Sequence, residues 1–340
     1  MRIVFAPDKF AGTLTATEAC GALIDGWCDV APADELVARP MADGGPGFLD
    51  CIAVATGAEP FLVSTTGPHG AALAAPVLVV PGEPRTAYLE AATCCGLDLA
   101  AEPRRPLDAS SGGLAALIVA AIATGAERIV IGVGGTASTD GGRAVVQALQ
   151  GAIPSELDLV VATDVESPLL GAAGAARSFA HQKGATDVDL LALQDRLTEW
   201  AASGAVDPNR LGAGAGGGLG YGLMRLGARR VSGAQVVAGV IGLDAQAQAS
   251  DLVVTGEGAL DFSSLRGKVV SCVAGQALAA ARPCVAVVGR SSVGRREAAA
   301  AGIDEIYSLV EAVGEAAASD HAADVLRQVA AGVARDWSRR

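Results

Sequence analysis

Short, mostly apolar runs rich in Val and Ile alternate along this chain with longer Ala- and Leu-rich stretches, and that alternation limits the possible folds. The runs lie at 3–6, 35–39, 129–133, 157–162, 252–255 and 285–288. A strand with one wet face alternates apolar and polar residues, whereas a strand covered on both faces reads as a near-continuous apolar run. Between the runs, 15–28, 113–124 and 190–202 read as helices, and Thr15 followed by Glu18 has capping-box spacing. Strand–helix alternation of this kind predicts an α/β chain with mainly parallel sheets. The stretch 64–86 departs from it, with Gly67-Pro68, Gly70, Pro76, Pro81-Gly82 and Pro84, and reads as turns and hairpin strands. A second irregular stretch, 207–222, holds seven glycines between Gly212 and Gly222. These breaks divide the chain into two α/β domains. Residues 1–60 plus 245–340 are expected to form one with a doubly wound parallel sheet, Rossmann- or flavodoxin-like. Residues 61–244 are expected to form an inserted domain with a mixed sheet.

Composition narrows the function. Of 340 residues, 51% are hydrophobic and 18% charged, which excludes a disordered chain. The net charge of −12 argues against a nucleic-acid or anionic-membrane surface. The longest apolar helical stretch, 114–123, is too short to span a bilayer. The opening MRIVFAPDKF is neither a secretory nor a transit segment. Seven cysteines without a CxxC spacing read as buried, reduced thiols, so the expected location is cytoplasmic.

In an open parallel sheet, ligands bind beyond the carboxyl ends of the strands. Six carboxylates fall there: Asp8, Asp43, Asp140, Asp164, Glu257 and Asp261. Any one could be a helix cap or a turn-forming Asx, but six together point to Mg²⁺ binding and a general base. Of 25 basic residues only three are lysine, and Lys9, Lys183 and Lys268 all lie in these unusual segments, where a compact ammonium suits phosphate oxygens. Gly-rich GVGGTASTDGG (132–142), GAGAGGGLGYG (212–222) and TGEG (255–258) read as turns whose backbone N–H groups could cradle an anion. There is no P-loop pattern and no GxSxG elbow. Gly132, Gly134 and Ala137 fit a relaxed dinucleotide pattern, but no helix follows at once. Phosphate-cradling glycines, lysines and a carboxylate rim are the parts of phosphoryl transfer.

These segments resemble the type I glycerate kinases. The likeness rests on APDKFAGTLTATEA (6–19), PMADGGPG (40–47), LEAATCCGL (89–97), GVGGTASTDGG (132–142), ATDVESPLLGAAGAA (162–176), HQKGA (181–185), GAGAGGGLGYGL (212–223) and SDLVVTGEGALDFSSLRGK (250–268), in the family's order. It implies the family's two-domain fold and ATP- and Mg²⁺-dependent phosphorylation of glycerate, usually to 2-phosphoglycerate. It also implies a small-molecule substrate, with no nucleic-acid or membrane partner. The chain departs from the pattern at four polar places. Ala11 stands for the lysine of F-K-G-[ST]-L, Pro46 and Phe48 for the glutamate and threonine of A-D-G-G-E-G-T, and Ala259 for the arginine of T-G-E-G-R-x-D. A longer Gly-bearing segment of typical members is cut to 151–156. These losses leave open a kinase of another small hydroxy compound, with Pro46 and Phe48 shaping an apolar pocket, or a non-catalytic ligand-binding relative.

On the resemblance, Gly134, Gly135, Thr136, Ser138, Asp140, Lys183 and Lys268 are the nucleotide-binding candidates. Asp164, Glu257 and Asp261 are candidates for metal ligand or base. Asp8, Lys9 and Asp43 are placed nearer the acceptor hydroxyl.

Overall fold

The computed structural model describes residues 1–100 and 102–338. The described strands, in chain order, are β1 (Arg2–Pro7), β2 (Glu35–Ala38), β3 (Phe61–Thr66), β4 (Ala72–Val80), β5 (Thr86–Glu90), β6 (Arg128–Gly132), β7 (Asp158–Ala162), β8 (Arg229–Val231), β9 (Leu252–Leu260), β10 (Cys284–Ser291) and β11 (Glu305–Ser308). The chain splits into two compact units, one of Met1–Asp43, Asp50–Thr56 and Ala234–Arg340, the other of Gly44–Leu49 and Gly57–Gly233. The boundaries expected at 60/61 and 244/245 therefore move. Residues 44–49 and 57–60 go with the second unit, and 234–244, which hold all but the first residue of the helix Gly233–Val240, go with the first.

The first unit is built on a five-stranded sheet, order β11-β10-β9-β1-β2, with every pair parallel. Ile3, Phe5, Leu252, Val254, Val285 and Val287 share a cluster with Ala19, Leu23 and Trp27 of the helix Ala16–Cys28 and Leu326 and Ala330 of the helix Ala322–Trp337. The alternate residues Val4, Val253 and Ala286 point to the opposite face and are also fully buried. Both faces are covered, which is why these runs do not alternate. Each such Val, Leu or Ile stabilises the fold by about 1.5–3 kcal/mol relative to an exposed position. Thr15 caps its helix as the spacing predicts, its side chain accepting from Glu18 N while Glu18 accepts from Thr15 N.

From β1 the chain winds outward to β2; from β9, the neighbour of β1 on its other side, it winds the opposite way through β10 to β11. The carboxyl ends of β1 and β9 thus form a topological switch point, where an open parallel sheet leaves a crevice. TGEG does not turn there. Residues 255–258 stay extended within β9, with Gly256 opposite Val287 and Glu257 opposite Val288. Gly256 is required by proximity, since a Cβ there would meet Val287 O at 2.1 Å.

The second unit carries a six-stranded sheet, order β3-β4-β5-β6-β7-β8. β3–β4 and β4–β5 are antiparallel, as the Gly- and Pro-rich stretch predicts, and β5 to β8 are parallel. The expected helix at 190–202 starts earlier, at Asp187, because Thr186 and Asp189 make a second capping box. The stretch read as irregular at 207–222 is helical from Ala215, interrupted by left-handed Gly216, Gly217 and Gly218. All seven cysteines are free thiols, five of them buried, with Cys272 half-buried and Cys28 exposed. Among the described residues no helix is long and apolar enough to cross a membrane.

Candidate active site

The carboxyl edge of the five-stranded sheet opens into a cavity of about 530 Å³. Asp8, Lys9, Asp43, Glu257, Asp261 and Lys268 all line it, so one concave surface gathers six of the residues expected from sequence. Asp8 follows β1 and is 8% exposed; its Oδ1 accepts from Lys9 N at 2.7 Å. The Lys9 ammonium lies 3.2 Å from Asp43 Oδ1 and 3.8 Å from Asp8 Oδ1, tying the loops after β1 and β2 together.

Glu257 sits near the end of β9, and its Oε1 is buried with no hydrogen-bond partner. Burial pushes its carboxyl up to about 7, with the nearby Asp8 and Asp261 charges adding to the rise and Ser264 and Lys268 opposing it. Asp261 has a different job. Its Oδ1 accepts from Ser263 N, Ser263 Oγ and Ser264 N, an Asx-type turn in which Lys268 Nζ donates to Ser263 Oγ at 2.7 Å. The Ser263 and Ser264 hydrogen bonds hold the Asp261 carboxyl below its usual range.

The second unit holds Gly134, Gly135, Thr136, Ser138, Asp140 and Lys183. The glycines there serve close packing. A Cβ on Gly134 would lie 2.6 Å from Gly45 Cα, and one on Gly135 2.7 Å from Pro46 Cγ. The Gly134 N–H, expected to face an anion, donates instead to Gly44 O. Asp140 caps the helix Arg143–Ala148, its oxygens accepting from Ser111 N, Ser111 Oγ, Gly142 N and Ala144 N. Lys183, 4% exposed, donates to Ser138 O at 2.6 Å and reaches Thr136 Oγ1 at 3.5 Å. Burial drives its ammonium down to about 7 against the pull of Asp140. Ser138 Oγ and Thr139 Oγ1 are buried without partners. Asp164 lies just past β7 in this unit. Among the described residues no group of three or more His, Cys, Asp or Glu is arranged to hold a metal ion.

The glycerate kinase family pattern matches residues 3–155 and 150–338, which together take in nearly the whole chain. The chain belongs to the glycerate kinase family. The two family matches meet at 150–155, the stretch expected from the resemblance to stand for a longer segment of typical members. Among its relatives, the glycerate 2-kinase of Escherichia coli (strain K12) is 34% identical over 92% of each chain. The glycerate kinase of Bacillus subtilis (strain 168) is 34% identical over 98% of this chain and 97% of its own. An uncharacterised protein of Mycobacterium bovis is 39% identical over 92% of this chain and 85% of its own. A solved structure from Salmonella typhimurium LT2, of a protein assigned as glycerate kinase 2, superposes with a TM-score of 0.78 at 32% identity, over 99% of this chain and 98% of that one.

The positions where this family member departs from the pattern separate by place. Ala11 and Ala259 line the cavity. Phe48 does not shape an apolar pocket. It is fully buried in the second unit, edge-on to Tyr88 with ring centroids 6.2 Å apart, and close to the point where a Gly132 Cβ would project. Its side chain fills core volume, and Pro46 packs near Gly135. The search for carboxylates and lysines at strand ends also passed over Ser264, which lowers the Glu257 carboxyl, and over Arg290 and Glu315, which line the same cavity.

Proposed function

We propose that this family member transfers the γ-phosphoryl group of ATP to a hydroxyl of glycerate, with 2-phosphoglycerate as the product and the cavity of the first unit as the acceptor site. The observation that carries this reading is Glu257: a buried carboxylate with an unpartnered oxygen, half ionised near neutral pH, at the switch point of a parallel sheet. Such a group accepts the hydroxyl proton as the acceptor oxygen bonds to the γ-phosphorus and the bond to the bridging oxygen of ADP breaks. Lys9 and Lys268 bring positive charge to a rim that also carries Asp8, Asp43 and Asp261. Asp261 is assigned to hold the loop that carries Lys268's partner Ser263, rather than to ligate a metal.

Mg²⁺ enters as part of the nucleotide substrate, since it keeps several waters and binds through one or two carboxylates plus phosphate oxygens. Asp164, just past β7, is the carboxylate that the resemblance offers for it. Of the residues expected to meet nucleotide phosphates, Thr136 and Ser138 keep hydroxyl donors, whereas Lys183 is buried against Ser138 O. Gly134 and Asp140 are committed within the fold. A cytoplasmic location is part of the same proposal, and the free, mostly buried thiols are in keeping with it.

The test is ATP consumption by the purified protein with Mg²⁺ and D-glycerate, beside glycerol and a panel of other hydroxy acids. Turnover with glycerate, and product identified as the 2-phosphate by NMR, is the expected result. Turnover confined to another acceptor would replace glycerate in the reading, and ATP binding without turnover on any acceptor would remove catalysis from it.

A further inference from the structure

A hydroxy acid has a carboxylate as well as a hydroxyl, and the cavity must hold that charge in spite of its own acidic rim. Two of its three cations are engaged: Lys9 with Asp43 and Asp8, and Lys268 with Ser263. The third, Arg290, is held loosely, with Nη1 3.9 Å from Glu315 Oε1 and both side chains more than two-thirds exposed. Its place in the sheet is fixed by register. In the β9–β10 pair, Arg290 stands directly opposite Ala259, and Glu257 stands opposite Val288. Side chains two apart on a strand share a face, as do partners across a parallel pair. Arg290 is therefore one strand over and two residues along from Glu257, roughly 8 Å at the backbone from strand spacings of about 4.8 Å across and 3.3 Å along. That separation suits a three-carbon hydroxy acid bridging a long arginine side chain and a carboxylate base. Close approach of the two strands is kept by Gly258 and Gly289, where a Cβ on Gly289 would meet Gly258 O at 2.3 Å.

We propose that Arg290 binds the carboxylate of the acceptor, as a forked, bidentate partner, from the strand beside the one whose position 259 is alanine here and arginine in the family pattern. The Arg290 guanidinium lines the same cavity one strand over from Ala259. This inference rests on the acceptor site proposed above. Arg290 sets specificity for an anionic acceptor and takes no part in the proton transfer at Glu257.

Steady-state kinetics with D-glycerate on wild type, Arg290→Ala, Arg290→Lys and the double variant Ala259→Arg/Arg290→Ala test it. Arg290→Ala is expected to raise the KM for glycerate about 10- to 100-fold, with kcat and the KM for ATP within about threefold. Arg290→Lys, which keeps the charge and loses the fork, falls between. Placing the guanidinium at position 259 in the double variant is expected to restore most of the glycerate KM. A glycerate KM within twofold of wild type in Arg290→Ala overturns the inference and leaves the acceptor site standing. So does a double variant no better than Arg290→Ala. A wild-type protein that neither turns over nor, by calorimetry, binds glycerate overturns both.

Discussion

At the carboxyl edge of the five-stranded sheet Glu257 keeps an unpartnered buried oxygen beside an open cavity, and Lys9 and Lys268 reach across loops that line it. Around the glycine turns of the six-stranded sheet most polar groups are turned inward, although the Ser138 and Thr139 hydroxyls are left without partners. Asp140 accepts four hydrogen bonds from its own unit, Lys183 lies against Ser138 O, and glycines are needed where backbone meets backbone. Both regions carry the same sequence signature: glycine, a carboxylate and a rare lysine after a Val- and Ile-rich run. Their difference shows that the signature marks a strand end but does not say whether its polar groups face a ligand or the fold. Burial of the partner atoms decides that, and burial is a property of the packed unit.

The sharpest way to break the contrast is to remove the one group that sets the cavity apart. Glu257→Gln keeps the shape and loses the base, so kcat with glycerate should fall by about 10²- to 10⁴-fold. Its thermal midpoint should hold or rise, because a buried charge is gone. More than a tenth of wild-type kcat would pass the role to Asp8 or Asp43. The next effect belongs to the glycine turns and to stability. A Cβ on Gly217, where φ is +69°, would lie 2.0 Å from Ser138 O and 2.7 Å from Lys183 Nζ. Gly217→Ala should cost about 3 kcal/mol or more in denaturant unfolding. Gly267→Ala makes the comparison, since its φ of +90° carries only the left-handed penalty of about 1–2 kcal/mol, with nothing within 4 Å of the new Cβ. Equal losses at the two positions would mean that crowding is not what holds the glycine in the second unit.

Much of the fold was legible in the sequence because burial on both faces leaves a direct trace. β1, β6, β7 and the first half of β9 coincide with apolar runs, and the Gly- and Pro-rich stretch announced the antiparallel strands β3 to β5. What could not be read were features that depend on a partner far away in sequence. TGEG resembles a turn, and only the pairing of Gly256 with Val287 keeps it extended. Phe48 stands where the family pattern is polar, and only its packing on Tyr88 shows a core residue rather than a pocket wall. At the site, Asp8, Asp43 and Glu257 could be found by looking just past the apolar runs, although Glu257 itself lies inside β9. The same rule reaches Gly289 and Arg290 after the run 285–288, but a search for carboxylates and lysines passes over an arginine. The register that puts Arg290 beside Ala259 has no local signature at all.

The smallest expected effect separates the two regions by the sign of a pH dependence. Lys183 is held near 7 in the folded chain against an ordinary value of 10.5. Between those values the unfolded chain binds the extra proton, so this residue makes stability rise as pH climbs from 7 towards 10.5. Glu257 is held near 7 against 4.5, so between those values the folded chain binds the extra proton, and stability falls as pH rises from 4.5 to 7. For one proton the slope cannot exceed about 1.4 kcal/mol per pH unit. Urea midpoints measured from pH 5 to 10 on wild type, Glu257→Gln and Lys183→Met should therefore differ in opposite limbs. Glu257→Gln removes a decline on the acid side and Lys183→Met removes a rise on the alkaline side. If Lys183→Met leaves the alkaline limb as steep as in wild type, the ammonium is paid for by solvent or a partner in the folded unit, and Lys183 would have to be regrouped with the ligand-facing lysines of the cavity.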